Sequence, residues 1–375
     1  MVNEARLVDT FCELVGIDSE TGDEGTIFKV LKDKFTALGL EVKEDQAKDK
    51  TGHGANNLVC VLHGTKKGTP IFLGTHMDTV FPGKQIKPQI ADGYITSDGT
   101  SILGADDKAG ISAIIEAIQV IKEEKRDHAD VQFIITIGEE SGLVGAKALD
   151  MNLVHAEYGF VLDSDGPVGD IVIAAPYQSK FDVKLVGKTA HAGIEPEKGV
   201  SAITMAAKAI SKMPLGRIDS ETTANIGRFE GGKATNIVCD YVHVLAETRS
   251  LVKEKMDRQV VRMTDSFEQT AEKMGGKANV HVDFMYPGYT FNAEDAVVQL
   301  ASKAAEAVGR TPHLLQSGGG SDANIFCGKG IPTVNLGVGY EQIHTIHEKI
   351  AIAELHMASE LALALIDQAV INNRT

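Results

Sequence analysis

The chain has 375 residues, 43% hydrophobic and 24% charged, a composition suited to a globular protein of two domains with a sizeable core. Its 37 Lys and Arg against 52 Asp and Glu leave a net charge of −15, which argues against nucleic acid, a partner that needs a basic stripe. No run approaches the ~18 apolar residues of a membrane span, and residues 1–9 carry no basic or apolar leader pattern, so neither membrane insertion nor secretion is expected. Cys12, Cys60, Cys239 and Cys327 are too scattered for a disulfide framework or a thiolate zinc site, and a reducing cytoplasm suits them.

In chain order, Pro70–Gly74 and Val131–Ile137 read as buried strands, too short for helices. Between them Ile111, Ile114, Ile115, Ile118 and Ile121 recur at helical spacing. Strand, helix, strand predicts an α/β layer on a mixed, largely parallel sheet. The middle third differs. A strand at Lys180–Val186, a helix at Ser201–Met213, strands near Thr222–Phe229 and Ile237–Ala246, a helix at Lys253–Lys273 and a strand at Asn279–Phe284 give β-α-β-β-α-β, the ferredoxin-like order. The α/β pattern then resumes, with helical periodicity from Val297 to Val308, a strand at Thr333–Val338 and a helix at Ile352–Val370. The expected organisation is one α/β domain, residues 1–176 and 287–375, interrupted by an inserted α+β domain at 177–286.

Five predicted strand ends carry His, Asp or Glu, at the edge where open α/β sheets bind ligands. They are Thr75-His76-Met77-Asp78, Gly104-Ala105-Asp106-Asp107-Lys108-Ala109-Gly110, Gly138-Glu139-Glu140-Ser141-Gly142, Leu162-Asp163-Ser164-Asp165-Gly166 and Ile343-His344-Thr345-Ile346-His347-Glu348. Each alone reads equally well as a cap or a solvated turn. Adjacent Glu139 and Glu140 repel, and a cation would absorb that charge. Imidazole and carboxylate donors without thiolates suit Zn²⁺, and less specifically Co²⁺ or Mn²⁺. Asp106, Glu140 and Asp163 carry −3; two divalent ions and one hydroxide bring the cluster to neutrality, which favours two ions over one.

These motifs, in this order over nearly the whole chain, resemble the di-zinc exopeptidase and amidohydrolase family that includes peptidase T, aminoacylase and succinyl-diaminopimelate desuccinylase, most nearly its peptidase T branch. The resemblance implies one zinc held by His76, Asp106 and Asp163, and a second by bridging Asp106 with Glu140 and His344. It also implies that Asp78 orients His76, that Glu139 is the general base, and that the Asp106–Asp107 peptide bond is cis. Spacing alone leaves Glu139 and Glu140 interchangeable, and His347 competes with His344. Gly187–Gly193 resembles the family's lid loop, whose His191 would reach across a homodimer interface to an oxyanion. Asn236, Arg249 and the turn at Gly319, Gly320 and Ser321 resemble the residues that bind the substrate end, Arg249 taking a carboxylate. The implied activity is hydrolysis of the N-terminal peptide bond of small peptides, tripeptides foremost, by a metal-activated hydroxide. Deacylation of N-acyl amino acids, carboxypeptidase action and an inactive binding or scaffold member are the alternatives.

Overall fold

The computed structural model describes residues 1–370. The chain divides into two compact units: Met1–Ile173 with Phe291–Gln316 and the chain from Ser321 onward, and Ala174–Thr290 with Ser317–Gly320.

The first unit is built on a mixed sheet ordered Glu41–Glu44, Leu58–Leu62, Val131–Thr136, Ile71–His76, Tyr158–Ser164, Thr333–Gly337, Asp170–Ala175. Its four central strands, Val131–Thr136 through Thr333–Gly337, run parallel, and antiparallel strands flank them. The parallel strands read as continuous apolar runs because both faces are covered. Ile71 and Leu73 join the main core, packed with Ile114, Ile118, Leu361 and Leu365 of the Ala105–Glu124 and Ile352–Gln368 helices. The intervening Phe72 turns to the other face, where the ring of Phe326 on the Asp322–Gly328 helix lies 4.6 Å away. A small antiparallel sheet adds Gln89–Ala91, Tyr94–Thr96, Lys349–Ala351 and Tyr340–Glu341.

The Ala105–Glu124 helix crosses close to the sheet because residue 110 lacks a side chain. A Cβ there would stand 2.6 Å from the Leu162 carbonyl oxygen, 2.8 Å from Thr75 Cγ2 and 2.5 Å from Asp107 Oδ1. Gly110→Ala is therefore expected to destabilise by about 1–3 kcal/mol despite alanine's better helix propensity. Thermal unfolding checks this; an unchanged or raised midpoint would mean that the helix gives way freely.

The second unit is an antiparallel sheet ordered Gly216–Arg217, Thr222–Gly231, Tyr241–Ser250, Tyr177–Val186, Lys277–Tyr286. Phe181, Val183, Leu185, Val242 and Val244 alternate onto one face and pack with Met205 of the Ala202–Ile210 helix and Met263 and Phe267 of the Lys253–Lys273 helix. The element order and strand order are those of a ferredoxin-like α+β fold.

Candidate active site

Parallel strands share a direction, so their C-terminal ends meet at one edge of the sheet. His76 ends one strand and Asp163 is the penultimate residue of the next; the Gly138–Glu140 turn follows Thr136, which ends a third. Asp106 reaches the same edge from the first turn of the Ala105–Glu124 helix, and the Asp106–Asp107 peptide bond is cis, as the family resemblance implies.

The carboxylate of Asp106 faces two ways. Its Oδ1 lies 2.9 Å from His76 Nε2, and its Oδ2 lies 3.2 Å from His344 Nε2. Around the first contact, His76 Nε2 also meets Asp163 Oδ1 at 3.5 Å. Around the second, His344 Nε2 meets Glu140 Oε1 at 3.1 Å. His347 is exposed, and its N–H donates to Thr345 Oγ1 at 3.1 Å.

Asp78 organises this edge from below. Its main-chain oxygen lies 3.0 Å from His76 Nδ1 and can only accept, so Nδ1 carries a proton and Nε2 is the ring nitrogen that faces Asp106 and Asp163. Its side-chain oxygens accept the backbone N–H groups of Glu139 and Glu140 at 3.0 and 3.2 Å, fixing the turn that presents both acids.

Burial pushes the Asp163 carboxyl up to about 7, with the Asp106 charge adding to it. Burial, joined by the Asp163 charge, holds Glu139 well above the usual carboxylate range. Burial opposes ionisation of Asp106 too, but His344 and His76 outweigh it and hold that carboxyl below its ordinary range. Hydrogen bonds to Asp106 and Glu140 carry the His344 imidazole up to about 10.

His76, Asp106 and Glu140, and likewise His76, Asp107 and Asp163, place ligand atoms within 4.8 Å of one another, so these side chains could hold metal ions. Metal–ligand bonds of about 2.0–2.1 Å around a tetrahedral ion put donors roughly 3.3 Å apart. The spacings of 2.9, 3.5, 3.2 and 3.1 Å match that figure. A buried carboxylate set with an imidazole Nε2 aimed into it fits divalent cations.

Several further side chains contribute whose contacts the sequence motifs do not give. Tyr340 donates its hydroxyl to Asp163 Oδ1 at 3.0 Å, and Asn335 pairs with the Asp163 main chain in both directions. Buried Lys108 donates to Ser19 Oγ and the Met77 carbonyl at 2.9 and 2.7 Å; burial pulls its pKa down to about 8. Asp322 is buried, accepts from Thr136 Oγ1 at 2.5 Å, and burial pushes its carboxyl up to about 6. Glu348 stands in one of the sequence motifs, but its partners, the N–H groups of Leu103, Gly104 and Asp106, are not legible there.

The remaining residues singled out from sequence lie in the second unit, apart from Ser321. His191 is exposed on its loop; its Nδ1 accepts from the Gly193 N–H at 3.2 Å, which leaves the proton on Nε2. Asn236 is exposed in the turn between the Thr222–Gly231 and Tyr241–Ser250 strands, its main-chain oxygen accepting from the Ala192 N–H at 3.0 Å. The Arg249 guanidinium forks onto Glu247, with bonds of 3.0 and 3.2 Å, and donates to the Gly318 carbonyl at 3.1 Å. Two N–H groups of the glycine turn have partners within the chain. The Gly319 N–H donates to Ser317 Oγ at 2.9 Å, and the Ser321 N–H donates to Asn324 Oδ1 at 3.0 Å as part of a helix cap. Gly320 is required where it stands, since a Cβ would meet the Tyr286 ring at 2.4 Å.

The model of peptidase family M20/M25/M40 matches residues 72–368. The chain is 61% identical over 369 residues to the uncharacterized protein YqjE of Bacillus subtilis, with 98% of this chain and 100% of that one covered. Among solved structures, the aminopeptidase PepT of Bacillus cereus is similar with a TM-score of 0.94 and 62% identity, covering 98% of this chain and 99% of that one. A tripeptidase of Staphylococcus aureus is similar with a TM-score of 0.96 and 52% identity, covering 98% of each chain. The match over most of the chain, carrying with it the strand-end His, Asp and Glu side chains, places this protein: it belongs to peptidase family M20/M25/M40.

Proposed function

We propose that the chain is a di-metal aminopeptidase that removes the N-terminal residue of small peptides, tripeptides foremost. The observation that carries this is the Asp106 carboxylate, one oxygen facing His76 and the other facing His344. Likeness at 62% and 52% identity to an aminopeptidase PepT and a tripeptidase supports the reaction and the substrate size.

His76, Asp106 and Asp163 would hold one ion, and Asp106, Glu140 and His344 the other. Zn²⁺ suits these donors best, with Co²⁺ or Mn²⁺ as substitutes. Such ions supply Lewis acidity, polarising the scissile carbonyl and acidifying water. Glu139 takes the proton from the attacking water and hands it to the departing amine nitrogen, a task served by its raised proton affinity. Asp78 keeps His76 in the tautomer that leaves Nε2 available. His191, protonated on Nε2, donates to the oxyanion. Asn236, Arg249 and the Gly319-Gly320-Ser321 turn receive the substrate end, with Arg249 exchanging its Gly318 contact for a carboxylate.

We further propose a homodimer formed through an inserted lid/dimerisation domain at 177–286, where Phe229, Ile237 and Tyr241 expose 42%, 47% and 43% of their surface. Four free cysteines fit a cytoplasmic setting. No helix among the described residues is long and apolar enough to cross a membrane.

Hydrolysis of Ala-Ala-Ala, its N-acetyl form and its C-terminal amide separates the readings. Release of N-terminal alanine from the unblocked peptide only is the expected result. Exclusive deacylation of acetyl substrates would replace the reading with an amidohydrolase, release from the C-terminus with a carboxypeptidase, and no hydrolysis by zinc-loaded protein with a binding member.

A further inference from the structure

We propose that the hairpin from Tyr340 to Ala351 is a clamp that couples the two metal positions, with Tyr340 and Glu348 as its positioning residues. This inference rests on the two-metal reading above. The hairpin strands Tyr340–Glu341 and Lys349–Ala351 pair antiparallel, with Tyr340 opposite Ile350. Three side chains of this one short segment each engage a different part of the cluster.

At its start, Tyr340 is 1% exposed, its ring lies in the main core, and its hydroxyl donates to Asp163 Oδ1, the oxygen that faces His76. At its tip, His344 meets Asp106 Oδ2 and Glu140 Oε1. At its end, Glu348 is 1% exposed and accepts three backbone N–H groups: Leu103 at 2.9 Å, Gly104 at 2.8 Å and Asp106 at 3.0 Å. Those three bonds anchor the segment that presents the bridging Asp106, more than 240 residues earlier in the chain. The hairpin thus touches the ligands of one position through Tyr340, those of the other through His344, and the shared ligand through Glu348. A stiff two-stranded unit cannot shift at one of these points without moving the others, so order at one position favours order at the second.

Two near-isosteric variants test the clamp without emptying the core. Tyr340→Phe keeps the ring and removes only the hydroxyl. Glu348→Gln keeps the shape but turns an amide N–H₂ toward backbone donors, so one arm of the anchor becomes repulsive. Metal-free wild type and both variants are titrated with zinc against a competing chelator, and the visible spectra of the cobalt-loaded forms are recorded. Wild type is expected to take two equivalents cooperatively. Each variant is expected to bind both equivalents roughly 10–100-fold more weakly and to show an altered cobalt spectrum. Metal-free Tyr340→Phe is expected to keep a thermal midpoint close to wild type and Glu348→Gln to lose a few degrees, with an affinity loss larger than that shift accounts for. Wild-type affinity and spectrum in both variants would overturn the clamp. So would a Tyr340→Phe loss confined to one equivalent, or an affinity loss that merely follows a lowered midpoint. Uptake of fewer than two equivalents by wild type would instead overturn the two-metal reading, and the clamp with it.

Discussion

Glu139→Gln is expected to retain metal and to lower kcat on Ala-Ala-Ala by roughly 10²–10⁴-fold, the range for removal of a positioned general base. The adjacent acid provides the contrast. Glu140 points its carboxylate at His344, 3.1 Å away, whereas the Glu139 backbone is pinned by Asp78 and its half-buried carboxyl is held well above the ordinary carboxylate range. A carboxylate with raised proton affinity accepts a proton from water more readily, and glutamine cannot accept one at all. Glu140→Gln should therefore fail differently, losing metal first and turnover as a consequence. Steady-state kinetics with parallel metal analysis separates the two acids. Near-normal turnover in Glu139→Gln would remove it from the reaction, and loss of metal there with retention in Glu140→Gln would exchange their roles.

Asp106→Asn is expected to abolish tight binding of both ions, not one, and to take turnover below detection. The reason is geometric. Asp106 offers Oδ1 toward His76 and Oδ2 toward His344, and an asparagine keeps one acceptor while replacing the other with an N–H₂ donor. The substitution also removes one negative charge of the three carried by Asp106, Glu140 and Asp163, so the attraction for each cation falls along with the geometry. Metal content after gel filtration is the check. Two equivalents retained at wild-type affinity would show that Asp106 does not bridge, and one retained would make it a ligand of a single position.

Much of this site is legible in the sequence because catalytic groups sit where periodicity changes. His76, Glu139, Glu140 and Asp163 each lie at or just after a short buried strand, and a parallel sheet brings such ends together whatever the loops between them do. The Lys253–Lys273 helix is equally plain, since its charged and apolar residues alternate over more than five turns. Less legible are contacts that join distant segments through one buried polar atom. Nothing local marks Glu348 as the acceptor for Leu103, Gly104 and Asp106, or Tyr340 as the donor to Asp163, because each depends on which strands become neighbours. The small sheet that pairs Lys349–Ala351 with Tyr94–Thr96 has strands of three residues, too short to show a period. Arg249 is legible as a cation, but its fork onto Glu247 depends on how the two side chains lie along the Tyr241–Ser250 strand.

The most direct single measurement is anomalous diffraction at the zinc edge from crystals grown with zinc. Two peaks are expected on either side of the Asp106 carboxylate, one beside His76 and Asp163, the other beside Glu140 and His344. Featureless density there, with zinc bound only at surface histidines, would contradict the account at its foundation.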